Sequence, residues 1–195
     1  MGYSQSSLAV IRKSSDAVLA TLALRPTGER EEFPESPFVA ASLPSSWFLV
    51  VADGAEHAVI SDDTLRQLST ACEVVTCTVE EHVMVSEATG WRDGQRVWRV
   101  THDAQSSTEH LQTEGELPSA FAAIRDRLST EQRTAGGKDS DTDYFFDIPV
   151  ELAMSFSGYR HDATTEGLAA DSFEVLESIR PVAAKKSILQ RLFGK

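Results

Sequence analysis

Glu81 stands between Val79 and Val83, in a run from Cys72 onward where apolar and polar residues alternate. Read as one strand, that run points the Glu81 carboxylate into an apolar layer. His102 joins the same layer if the chain pairs back on itself across Asp93-Gly94. A carboxylate beside an imidazole is the minimum kit for general acid–base work. Glu81 and His102 are therefore the catalytic candidates, and a small-molecule enzyme or sensor with a Glu81/His102 pocket is one functional expectation. Two other arrangements fit the same residues. A bulge at Glu80-Glu81 would turn both acids to solvent, and Glu81 could instead lie at the open end of the sheet.

Other chemistry-bearing patterns are weaker. Asp139-Ser140-Asp141-Thr142-Asp143 alternates three carboxylates as a calcium loop begins. The position that requires Gly is Tyr144, however, and the one that requires a bidentate Glu is Val150, so the stretch reads as a solvated acidic loop. His57, His82, His102, His110 and His161 lack close ligand spacing, and no metal site is expected. His161 and Asp162 read as a surface pair. Gly-x-Ser-x-Gly and a glycine-rich phosphate loop are both absent from the sequence, so no cofactor is expected. Trp91 with Arg92 and Arg96 forms a binding candidate at a hairpin tip, since Trp and Arg are over-represented among interface hot spots. Packing at the core edge is the competing reading for Trp91.

The elements that must position these residues follow from capping and periodicity. Residues 3–13 read as a strand, and Ser14-Ser15-Asp16 caps a short helix with Val18, Leu19 and Leu22 inward. Residues 25–37, rich in proline and acids, read as a surface loop. Residues 38–41 and 47–52 are apolar enough for two strands, and Ser61-Asp62-Asp63 caps a second helix with Leu65 and Leu68 inward. Asp93-Gly94 favours a type I′ turn. Its register pairs Arg92 with Gln95, Thr89 with Trp98, Glu87 with Val100 and Val85 with His102. That arrangement gathers Val75, Cys77, Val79, Val83, Val85, Trp98, Val100 and His102 on one face, with Trp91 on the same side. Thr76, Thr78, Glu80, His82, Arg99 and Thr101 take the other face. A strand over 108–113, a helix after Pro118-Ser119 with Phe121, Ile124 and Leu128 inward, and a mobile loop over 129–143 come next. A helix opened by Asp147 and Pro149 stops at Gly158, and a last packed piece contains Phe173, Val175, Leu176 and Ile179. The fold expected is α+β: an antiparallel sheet with a long central hairpin and several short helices packed on one face.

Composition bounds the rest. The chain has 195 residues with 41% hydrophobic and 25% charged side chains, which suits one domain over 1–180 and a tail over 181–195. The tail is basic and amphipathic, carrying Lys185, Lys186, Arg191 and Lys195 with Ile188, Leu189, Leu192 and Phe193. It can dock on its own domain, on a partner or on an anionic membrane. No apolar run reaches the length a spanning helix needs, and the N-terminal residues lack the pattern of a secretion signal. With two isolated cysteines, Cys72 and Cys77, the cytoplasm is the expected compartment. Net charge is −12; the tail holds four basic and no acidic residues, so residues 1–180 carry −16. Such a body argues against nucleic-acid binding and steers a basic protein partner toward itself.

Cys72-Glu73-Val74-Val75-Thr76, Trp91-Arg92-Asp93-Gly94 and the Trp98 strand resemble a recurring order in uncharacterised bacterial α+β proteins, over residues 47–103. In its small size and acidity the chain is also loosely similar to bacterial toxin-neutralising, immunity-type proteins. The resemblance implies a non-catalytic protein-binding domain, an inhibitor of a basic partner, and transfers no site residue.

Overall fold

Alternation fails where the chain is most apolar. Leu49-Val50-Val51-Ala52 and Val39-Ala40-Ala41 are apolar at consecutive positions, so their strands need cover on both faces. The computed structural model, which describes residues 2–55 and 57–179, supplies that cover. The elements run β1 (Ser4–Ile11), α1 (Ser15–Leu22), β2 (Leu24–Glu31), β3 (Phe38–Ser42), β4 (Phe48–Asp53), α2 (Asp62–Leu68), β5 (Glu73–Glu80) and β6 (Val85–Arg92). β7 (Gln95–Asp103), β8 (Gln112–Gly115), α3 (Ala120–Thr134), α4 (Asp147–Ser157) and β9 (Phe173–Ser178) follow. The nine strands form one antiparallel sheet ordered β2-β9-β3-β4-β1-β5-β6-β7-β8.

Helices lie on both faces, which corrects the expectation of one covered face. Val18, Leu19 and Leu22 of α1 and Leu65 and Leu68 of α2 pack on Leu8, Val10, Val50 and Val74. Phe121 and Leu128 of α3 and Ile148 and Leu152 of α4 pack on Ala9, Leu49, Val51, Val75 and Val100. Neighbouring residues of one strand thus feed opposite cores, each buried aliphatic side chain contributing about 1.5–3 kcal/mol. Both early helices begin as their caps predict: Ser14 Oγ accepts from Ala17 N–H and Ser61 Oγ from Thr64 N–H.

The run from residue 72 to 92 is two strands, not one. Residues 81–84 turn the chain, with Met84 in the left-handed region at φ 52°, so β5, β6 and β7 form a meander. The second turn sits at Asp93-Gly94, where both residues have positive φ (50° and 77°), and Arg92 pairs with Gln95. Two residues later the register shifts. Trp91 pairs with Arg96 but Gly90 pairs with Trp98, which leaves Val97 as an extra residue. The expected partners of Trp98, Val100 and His102 are therefore replaced by Gly90, Ala88 and Ser86. Trp98, Val100 and His102 still share a face with Val75, Cys77 and Val79, whereas Trp91 and Val85 move to the opposite one, and Val83 lies exposed in the turn.

Three further stretches depart from expectation, and the packed piece around Phe173 takes a definite form. Residues 24–31 form an edge strand, and its Arg25, Glu29, Arg30 and Pro26 are residues that discourage further strand addition. The segment around Phe173 is a strand inserted between β2 and β3. The strand expected over 108–113 occupies Gln112–Gly115. α3 continues through Thr134 into the stretch read as a loop, because its inward position there is Gln132, a polar residue that hides the helical stripe. Its amide donates to Gly137 O and accepts from Tyr144 N–H. The basic tail over 181–195 lies outside the described residues.

Gly90 permits the crossing of β6 by the Trp98 indole: a Cβ there would stand 2.0 Å from Trp98 Nε1. Gly90→Ala is expected to destabilise the fold by about 1–3 kcal/mol through overpacking, read as a lowered urea midpoint at unchanged slope. A wild-type midpoint would show that the indole does not lie across residue 90.

Candidate functional site

At the end of β5 the chain leaves the sheet with two acids in succession. Glu80 Oε2 accepts from Ser4 Oγ at 2.5 Å and Oε1 meets His82 Nδ1 at 2.7 Å; the Ser4 hydroxyl first, and then His82, hold its carboxyl below the usual range. Glu81 faces the other way and clamps the first strand. Its N–H donates to Tyr3 O at 2.9 Å, and its Oε2 accepts from Tyr3 N–H at 2.8 Å.

α4 delivers the remaining groups. The helix stops at Gly158, whose φ of 79° suits a glycine C-cap, and the next four residues fold over the same end of the sheet. Tyr159 is buried and its hydroxyl donates to Gln5 Oε1 at 2.9 Å; burial pushes the phenol pKa up. The Arg160 guanidinium meets Asp162 at 2.5 Å and Asp147 at 2.7 Å. Burial opposes its charge, but the two carboxylates outweigh that and raise its pKa further. Burial likewise works against the Asp162 carboxylate, and Arg160 overrides it, leaving the pKa lowered.

His161 completes the cluster. Its side chain is 4% exposed, and Nε2 lies 3.1 Å from Glu81 Oε1. Because that neighbour is a carboxylate, Nε2 carries the hydrogen shared with it. Nδ1 is buried without a hydrogen-bond partner and lies 4.0 Å from Asp162 Oδ1. The Tyr3 ring stands edge-on to the imidazole at 5.3 Å. In front lies a cavity of about 250 Å³, lined by Tyr3, Glu32, Phe33, His161, Asp162 and Phe173 among others.

Glu81 therefore meets an imidazole, but that of His161 and not of His102. His102 is fully buried, with Nδ1 2.7 Å from His110 O and Nε2 3.0 Å from Asp143 Oδ2. Asp143 also accepts from Phe145 and Phe146 N–H, so His102 ties β7 to the chain entering α4. Asp143, the last acid of the calcium-like run, is thus spent inside the fold. Among the described residues no three His, Cys, Asp or Glu side chains meet as metal ligands do.

The structure also relocates the hairpin-tip candidates. Trp91 is 4% exposed in the core with α1 and α2, its Nε1–H donating to Thr89 Oγ1 at 2.9 Å. The Arg96 guanidinium covers the indole at 5.7 Å and reaches Asp62 and Glu114. Arg92 is exposed and faces Glu73 at 3.6 Å. The tip itself is docked: Asp93 N–H donates to Ser69 O and Gly94 N–H to Ser69 Oγ. The bulge at Val97 puts Trp91 and Trp98 on opposite faces, and the turn residues alone do not signal it.

Sequence reading missed Tyr159, Arg160, the interior placement of His161, and Tyr3 and Phe33 as walls. One signal was present: Tyr159-Arg160-His161-Asp162 puts four chemistry-bearing side chains directly after a C-cap glycine.

The lowered Asp162 pKa makes a stabilising contribution that is present above the ordinary Asp value and lost as pH falls through the folded one. The stability gap between wild type and Arg160→Met should therefore be open at neutral pH and shrink below about pH 4, small in size because Asp162 is partly solvated. Urea unfolding across that range checks it; a gap independent of pH would refute the pairing.

Comparison with known proteins returns no match: no family model, no curated protein and no solved structure is similar to this chain.

Proposed function

We propose that the chain is a non-catalytic binding domain for a basic protein partner, an inhibitor of the immunity type, working in the cytoplasm and not on nucleic acid. The observation that carries this reading is a coincidence of exposed rings and acids. Phe33 (55% exposed) and Tyr3 (48%) are among the few large apolar side chains left in solvent, and both line the cavity beside His161 and Glu32. Glu32 has no partner among the described residues. Exposed aromatic faces among carboxylates attract cationic side chains, and the −16 carried by residues 1–180 steers a basic protein toward them. No described helix is long and apolar enough to cross a membrane, and Cys72 and Cys77 are both free thiols, which supports a reducing compartment.

A second reading, a small-molecule enzyme or sensor, draws on one observation: Glu81 does lie against an imidazole at a cavity. A carboxylate that orients an imidazole is the pairing that general acid–base chemistry uses.

Affinity capture from native lysate at low and high salt separates the two. The binding reading expects a basic protein held at low salt and released at high salt, as screened charges require. Absence of any salt-sensitive protein partner would end it.

A further inference from the structure

We propose that the cavity where the Trp98 indole crosses β6 is a site for a small, uncharged, apolar molecule carrying a carbonyl-type hydrogen-bond acceptor, with Trp98 Nε1–H as its donor. The site lies at the start of β5 and the end of β6, at the other end of β5 from Glu81, and does not depend on a basic protein partner. Its volume of about 470 Å³ falls within the roughly 300–1,000 Å³ of small-molecule pockets.

The donor defines the occupant. Trp98 is 6% exposed, and a buried indole N–H ordinarily finds a partner. Trp91 has one in Thr89 Oγ1, but Trp98 Nε1–H has none among the described residues. Nor is it sealed in. Among the described residues that are not exposed, His161 Nδ1 is the one side-chain nitrogen or oxygen both unpartnered and closed to solvent. The Trp98 N–H therefore reaches open space. Nε1 lies against Gly90, and Trp98 and Gly90 both line this cavity. An indole nitrogen keeps its hydrogen and only donates, so the occupant must accept.

Charge and surface narrow the class. Val75, Val97, Leu117, Ala120 and Phe156 give the cavity an apolar wall, with the Phe156 ring stacked on the indole at 5.8 Å and 17°. At the rim, Glu73 takes Arg12 at 2.7 Å and faces Arg92 at 3.6 Å, while Glu116 is exposed. An ammonium has no lone pair to offer Nε1–H. A carboxylate would exchange its hydration for one neutral donor beside Glu116, in a body that carries −16, and a charge buried with so little compensation is unfavourable. An uncharged carbonyl accepts the N–H bond without that cost, and its apolar body covers the wall.

The test uses the full chain labelled with ¹⁵N-tryptophan and three probes that share one apolar body: 3-phenylpropanamide, 3-phenylpropanoate and 3-phenylpropylammonium. The amide is expected to saturate with a dissociation constant on the order of millimolar and to move the Trp98 Nε1–H proton resonance downfield as the bond forms. The carboxylate and the ammonium should each bind about tenfold more weakly. Trp98→Phe keeps an aromatic ring without the donor and should weaken the amide about tenfold. Ser155→Leu, at an exposed position of the lining, adds bulk at the cavity and should weaken the amide several-fold at an unchanged melting temperature, which keeps a second variant in hand if Trp98→Phe fails to fold. No saturation by the amide, or saturation with the Trp98 resonance unmoved, would overturn the site. Ammonium binding as tight as the amide would overturn the need for an acceptor, and equally tight carboxylate binding would overturn the uncharged assignment.

Discussion

The fold depends on the double-sided apolarity of its central strands. In β4, Leu49 and Val51 enter one core while Val50 and Ala52 enter the other, and β1 does the same with Ala9 against Leu8 and Val10. A strand of this kind has no face it can give to water, so helices are required above and below it. The early helix pair, α1 and α2, covers one side and the late pair, α3 and α4, the other. Away from the centre the demand relaxes. The outer strands carry Thr76, Glu87, Arg99 and Glu114 on the face that α1 and α2 cover at the centre, and Arg99 pairs with Glu87 at 2.5 Å in place of burying apolar surface.

The candidate site arises where that architecture ends. β5 stops at Glu80, β1 starts at Ser4, and α4 stops at Gly158, so three chain segments discharge their terminal polar groups into one place. Glu81 serves two of them, taking the Tyr3 N–H and the His161 imidazole. Arg160 binds back to Asp147 at the opening of α4 and to Asp162 beyond it, which holds the loop against the helix that launched it. The result is a fixed imidazole with one nitrogen held by the Glu81 carboxylate and the other buried beside Asp162 without a hydrogen-bond partner. The two exposed aromatic side chains at its mouth come from separate parts of the chain, Tyr3 before β1 and Phe33 after β2.

Much of the local structure was legible. Ser14 and Ser61 begin helices, Gly158 ends one, and Asp93-Gly94 turns the chain, because each of these effects acts over a few residues. The inward set of Trp98, Val100 and His102 was legible too, although by a route the structure amends: the bulge at Val97 exchanges their partners in β6 and sends Trp91 across the sheet. That bulge was hidden because Gly90 and Trp98 constrain each other only once the strands lie side by side. Glu81 was singled out by the pattern it interrupts, and one of the alternatives weighed for it, the end of the sheet, matches where it stands. Its imidazole partner was not legible, since His161 lies 80 residues further along the sequence, beyond α3 and α4.

By itself the sequence determined where several helices begin and end, their caps, the turn at residues 93–94 and the acidity of the body, all properties carried by neighbouring residues or by composition. Only the tertiary structure decided which histidine faces which carboxylate, that both sheet faces are covered, and that Tyr3, Phe33 and His161 share a cavity. Those relations join residues far apart in the chain, and they exist only after the sheet order brings the ends of β1, β5 and α4 together. Local pattern specifies what each segment becomes, while the apolar surface that segments must hide from one another settles where their polar ends meet.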